Sequence, residues 1–289
     1  MISAVDMVGL QFPDRRRSRA ARVNWVRVGA QVLIVGVVVM LYAPSVLVAL
    51  MSFNPRQIAT FPLDGLTLDW WRSMFDNPAV WESVRLSLTI AVVATVLSVV
   101  LGLCAAFALT RPTLRLKPLF ASMLVAPMVA PALVVGVALL VFWNKLGVER
   151  GIVTVIFAHT ALALPYATLV LGAGITTLDP RQDEAAASLG ASRWYALRRV
   201  TLPQLLPSLI AACAFAFTVS FDEFNVTYFV IGAGESTLPT YIYSNLKFGI
   251  TPSLNAVATL ALALSVTLAT IAFGRTRRVQ NQLPSKAQS

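Results

Sequence analysis

Two adjacent carboxylates, Asp222 and Glu223, stand at the end of an apolar run that begins at Leu209. An ionisable group at membrane depth is costly unless paired or wet, so such a pair either serves a function or lies at the bilayer edge in reach of water. Two neighbouring negative charges suit a dicationic ligand. Phe221, Phe224 and Tyr228 close by, with Tyr166 from earlier in the chain, could add cation–π contacts and pack a methylene chain. Catalysis finds no comparable support. The single histidine, His159, has no charged neighbour in its run and reads as a packing or hydrogen-bonded residue rather than a proton relay. No Gly-rich loop ends in Gly-Lys-Ser/Thr, and there is no HExxH or zinc cluster. Cys104 and Cys213 both sit in apolar runs, where a thiol behaves as a small hydrophobe. No catalytic residue, metal ligand or cofactor is therefore assigned to this chain.

The elements that would position those acids belong to a bilayer. Apolar residues make up 57% of the 289, charged residues only 12%, and the mean hydropathy is +0.74. The net charge of +10 could signal a nucleic-acid partner, but the bases are spread between apolar runs rather than gathered in a patch, which excludes that partner and favours membrane orientation. The Arg15–Arg17 cluster before an apolar run imitates a signal peptide, yet the run is too long and lacks a small-x-small cleavage site, so it reads as a retained anchor.

Six spans are predicted: residues 28–51, 83–109, 119–143, 152–177, 209–221 and 254–273. The first alone is longer than the roughly 30 Å hydrocarbon layer requires at about 1.5 Å per residue. Gly102 and Ala106 in the second have the small-xxx-small spacing that lets another helix approach. Pro127 and Pro131 interrupt the third and predict a kink. Trp70, Trp71 and Trp81 in the link 54–82 suit a membrane interface. With the N-terminal tail placed inside, cytoplasmic segments hold 17 of the 23 bases. That puts both termini and residues 179–207 in the cytoplasm, with a basic tail over 1–27, a transmembrane domain over 28–273 and a second tail over 274–289.

Residues 179–207 form a long polar and basic insertion between the fourth and fifth spans. Their order predicts two short helices. Asp183 and Glu184 favour a helix N-terminus, Ala185, Ala186 and Leu189 continue it, Gly190 permits a break before Ala191, and Ser192 can cap a second helix through Trp194 and Tyr195. Pro203 and Pro207 are expected to keep this second helix from merging with the fifth span.

This spacing resembles the EAA motif of ABC-importer permeases, which has Glu-Ala-Ala, a glycine four residues later and a distal Ile-x-Leu-Pro. Here the motif is Glu184-Ala185-Ala186, Gly190, then Val200, Leu202 and Pro203, with Val200 the one departure. The likeness covers most of the chain and is closest to the spermidine/putrescine permease branch, through Ser52-Phe53-Asn54, Trp70-Trp71, Ala158-His159, Pro165-Tyr166, Ser220-Phe221-Asp222-Glu223, Leu238-Pro239 and Asn255-Ala256. The resemblance implies an all-α membrane protein of six transmembrane helices, in a bacterial inner membrane and surrounded by lipid. It implies a cytoplasmic coupling helix in the loop between the fourth and fifth spans. It further implies a cytoplasmic ATPase dimer carrying ATP and Mg, a second and different permease subunit, and an extracytoplasmic solute-binding protein that Asp222 and Glu223 could instead contact. Importers of ferric iron, an opine or a phosphonate share the loop, and a non-transporting receptor or scaffold is the alternative from another class.

Overall fold

The computed structural model describes residues 15–56, 65–110 and 115–282. The outermost tails and Arg111 of the second basic segment fall outside them. The chain divides into two units, residues 1–50 and 51–289. The first is α1 (Arg15–Met51), whose part from Arg27 onward is a 25-residue apolar span.

In the second unit, the helices long and apolar enough to cross a membrane are α3 (Pro78–Thr110), α6 (Ile152–Thr176) and the continuous stretch Arg193–Phe221. They pack against one another as the centre of the bundle. Lipid gives helices no hydrophobic reason to associate, so close approach of small residues must do it. Val99 and Ala106 of α3, Ala163, Ala167 and Leu171 of α6, and Ala212 and Ala216 of the third helix form one buried cluster. A Cβ on Gly102 would stand 3.0 Å from the Ala167 Cβ and 3.2 Å from the Thr168 backbone nitrogen. The small-xxx-small pair is thus the α3–α6 contact, and Ser98 adds a hydrogen bond from its Oγ to the Thr160 carbonyl, 3.2 Å.

The third predicted span differs from a single kinked helix. It is two helices, α4 (Lys117–Val129) and α5 (Ala132–Lys145), bent by 105°. The cause is local to Pro131, which forces the residue before it out of the helical region: Ala130 is extended at φ −70°, ψ 137°. Pro127 lies inside α4 and ends nothing.

The fifth span requires a correction in the opposite sense. Between α8 (Arg193–Ala196) and α9 (Leu202–Phe221), residues Leu197–Thr201 form a π-helical turn, so the loop's second helix does merge with the span. The widened turn, closed by a bond from the Leu202 N–H to the Leu197 carbonyl, makes room for the Pro203 ring. Pro203 is the second residue of α9, directly after that turn, and as a proline offers no N–H to the carbonyls before it. At the place of the sixth predicted span lies α12 (Pro252–Gln282), whose apolar part among the described residues, Pro252–Leu268, is shorter than the other spans.

Short helices close the two ends. At one end lie α2 (Asp69–Phe75), α10 (Thr227–Val230) and α11 (Leu238–Leu246). The Trp70 Nε1–H donates to the Asn54 carbonyl at 2.9 Å and the Trp71 Nε1–H to Ser52 Oγ at 3.2 Å, so these indoles pin α2 to the preceding segment. Met74, Val80, Phe221, Leu238 and Val257 make the core beneath. At the other end lies α7 (Pro180–Ser188), followed by α8.

Candidate functional site

The polar loop folds as the helix pair its residues predict, with an earlier start. Asp179 caps α7 by accepting the Arg181 N–H at 3.0 Å, which leaves Asp183 and Glu184 beyond the first turn. The end of α7 is a Schellman closure: the Ala191 N–H donates to the Ala186 carbonyl and the Gly190 N–H to the Ala187 carbonyl, both at 3.0 Å. That closure needs the left-handed backbone of Gly190, φ +78°. Ser192 then caps α8, its Oγ accepting the Tyr195 N–H at 3.2 Å.

The outer surface of this pair is unusually apolar for a loop. Leu189 is 88% exposed, Trp194 63% and Tyr195 58%. The Arg198 guanidinium lies over the Trp194 ring at 5.6 Å. Glu184, Ala185, Gly190 and Pro203 are exposed, while Ala186, Ala191 and Leu202 are half-buried. Behind the pair, a cavity of about 1230 Å³ opens between Cys104 and Phe107 of α3, Ile175 of α6, and Gln182, Trp194 and Gln204. Gln204 was not predicted. Its amide donates to the Val200 carbonyl in the π turn at 3.1 Å and to the Gln182 side chain, tying α7 to the root of α9. Polar residues at unremarkable loop positions carry no pattern that would have singled them out.

At the opposite end, Asp222 is the C-cap of α9 and Glu223 follows it. Asp222 Oδ1 accepts the Ser265 hydroxyl of α12 at 3.1 Å. Glu223 Oε1 accepts the Val226 N–H at 2.9 Å, so this carboxylate stabilises the turn into α10. His159 holds the same turn from α6. It is 2% exposed, with Nδ1 2.7 Å from Ser220 Oγ and Nε2 2.7 Å from Thr227 Oγ1. Thr227 gives its own proton to the Glu223 carbonyl at 2.9 Å, so the ring must present Nε2–H to Thr227 and pair Nδ1 with Ser220. Gly136 of α5 presses on the turn from another side, where a Cβ would fall 2.7 Å from the Phe229 ring.

The predicted aromatics separate. Phe224 and Tyr228 stand together, ring centroids 5.7 Å apart, and Tyr243 of α11 joins them, which sequence reading missed. Phe221 points into the core and stacks on Phe217 at 5.6 Å. Tyr166 is half-buried and stacks on Phe215 at 5.3 Å, about 10 Å further along α6 than His159, the rise of seven residues. Among the described residues, no group of three or more His, Cys, Asp and Glu side chains converges as metal ligands would.

Residues 98–282 match the family described as "Binding-protein-dependent transport system inner membrane component". The chain belongs to this family. The permease is 33% identical over 228 residues to the spermidine/putrescine transport system permease protein PotC of Escherichia coli K12, covering 79% of its own length and 86% of the relative's. It is also 33% identical over 249 residues to the putrescine transport system permease protein PotI of the same strain, covering 84% and 88%. Its fold matches a chain in the crystal structure of a bacterial ABC transporter involved in the import of the acidic polysaccharide alginate, with a TM-score of 0.69 at 14% identity, over 91% and 99% of the two chains. The helical permease fold implied by the EAA spacing is therefore the fold of this chain, and its function is that of a transport permease subunit.

Proposed function

We propose that the permease moves polyamine-like cations from an extracytoplasmic solute-binding protein into the cytoplasm, as one half of a membrane core completed by a different sister permease. The observation that carries this reading is its kinship to two permeases named for spermidine and putrescine. The Asp222–Glu223 turn beside exposed aromatic rings supports it, because paired carboxylates and π faces suit an alkylammonium chain. The other end suits the motor. The exposed Leu189, Trp194 and Tyr195 offer an apolar knob to a groove on an ATPase dimer that binds ATP and Mg. Closure of that dimer moves α7 and α8, the π turn and Gln204 pass the displacement to α9, and α9 carries Asp222 at its far end. The site thereby alternates between the two sides of the membrane.

The experiment is uptake of radiolabelled putrescine by vesicles containing the permease with its sister subunit, ATPase and binding protein. Asp222→Asn with Glu223→Gln keeps the oxygen that accepts from Ser265 and the one that accepts from Val226, so the turn should survive. Loss of both charges should reduce uptake by about tenfold, the worth of one charge-assisted contact, with complex assembly unchanged. Uptake equal to wild type would put the acids off the pathway.

Orientation follows from the charge bias, with both termini and the α7–α8 pair cytoplasmic. Reporter fusions after Ser289 and within residues 64–76 should then report opposite sides of the membrane. The same side for both would overturn this orientation.

A further inference from the structure

Three rings from two separate segments converge beside the acidic turn. The Phe224 centroid is 4.6 Å from that of Tyr243, and Tyr228 and Tyr243 are 5.6 Å apart at 79°. The cluster already holds a cation of the chain itself. Lys247, the C-cap of α11, places its Nζ 5.2 Å from the Tyr243 centroid and 5.7 Å from that of Tyr228, with the Tyr228 hydroxyl at 3.5 Å. Lys247 is exposed, and Tyr228 and Tyr243 are only partly covered, so burial does not force the ammonium onto the rings. A lysine stem free to extend into water gives up rotamer entropy to fold back, and attraction to the π faces must offset that loss.

We propose that Phe224, Tyr228 and Tyr243 form a cage for an alkylammonium group, and that Lys247 is its tethered occupant, displaced when an amine of the cargo enters. The inference rests on the cation-import reading above and adds a selection device to it. A primary ammonium on a methylene stem is chemically the end of a polyamine, so what holds Lys247 also holds the cargo. Tethering gives Lys247 a high effective concentration at the cage, on the order of millimolar, so a monoamine displaces it only when present well above that concentration. A cargo whose second ammonium engages Asp222 or Glu223, on the same turn as Phe224, has a further contact with which to displace it.

The test reads Lys247 directly. In the assembled complex, Lys247 is acetylated by a water-soluble reagent and quantified by peptide mass spectrometry, in sodium chloride or in equimolar tetramethylammonium chloride, a cation that does not consume the reagent. Tetramethylammonium should raise Lys247 acetylation about two- to fivefold, the range of one surface cation–π contact, while leaving the exposed Lys145 unchanged. In Tyr243→Ala, Lys247 should react faster in either salt. Lys247 reactivity indifferent to both the salt and the Tyr243 change overturns the cage. A second arm measures inhibition of putrescine uptake by tetramethylammonium. Inhibition should strengthen about two- to fivefold in Lys247→Met, because the tethered competitor is gone, and equal inhibition of variant and wild type overturns its role in entry. Should the vesicles take up no putrescine while Lys247 still responds to tetramethylammonium, the cage stands as an ammonium site and the cargo assignment is what fails.

Discussion

Replacing Gly190 by valine is expected to cut uptake by about tenfold while membrane insertion and basal ATP hydrolysis persist. The cost comes from the backbone, because nothing lies within 4 Å of a Cβ at this position. A left-handed conformation costs an ordinary L residue about 1–2 kcal/mol, and a β-branched side chain is among the worst placed to adopt it. At φ +78° valine would drive the backbone toward another region and break the two bonds that close α7, from Ala191 to Ala186 and from Gly190 to Ala187. The α7–α8 pair would then lose its angle, although α9 and the bundle below it would stay intact. Gly190→Asn is the control, since asparagine tolerates this conformation and should retain most of the uptake. Paired measurements of ATP hydrolysis and vesicle uptake decide the matter. Wild-type uptake in the valine variant would remove the pair from the coupling path.

The second large effect is expected at His159. Changing it to leucine strands the Ser220 hydroxyl and leaves Thr227 without its imidazole partner, each in a buried site. An unsatisfied buried polar group costs about 1–3 kcal/mol, so the solubilised complex should melt several degrees lower and uptake should fall with it. Stability and positioning can be separated. Adding Ser220→Ala removes the stranded hydroxyl, while Thr227 keeps its bond to the Glu223 carbonyl, and apolar replacement of both members of the His159–Ser220 pair is nearly neutral. The double variant should therefore recover most of the melting temperature but not uptake, because the turn has lost its imidazole clamp. A leucine variant that melts and transports like wild type would show that this clamp has no part in transport.

Much of the permease is legible in its residues because the relevant physics is local. Span length follows from runs of apolar residues, the α7–α8 pair from its caps and from Gly190, and the α3–α6 contact from the Gly102–Ala106 spacing. Proline was harder to read, since its effect depends on the register of the turn around it. Pro131 breaks a span into helices 105° apart, Pro127 is carried inside α4, and Pro203 fits a continuous helix through the π turn.

The two ends of the bundle divide along the same line. Asp222 and Glu223 stand out in the sequence by themselves, because two charges at the end of an apolar run demand an explanation. What surrounds them does not stand out. Ser265 is 43 residues from Asp222, Thr227 is 68 from His159, and Tyr243 and Phe224 lie on different elements. A hydroxyl or a ring signals nothing until folding supplies its partner, so sequence grouped Phe221 and Tyr166 with the site by proximity and type. Tertiary structure placed Phe221 in the core, stacked Tyr166 on Phe215, and brought Tyr243 and Lys247 to the Phe224 and Tyr228 rings. Sequence alone determined the class of machine, because the apolar spans and the Glu184-to-Pro203 spacing are written in contiguous residues. Only the packing of α6, α9, α11 and α12 decided which side chains meet at the acidic turn, because those contacts join segments far apart in the chain.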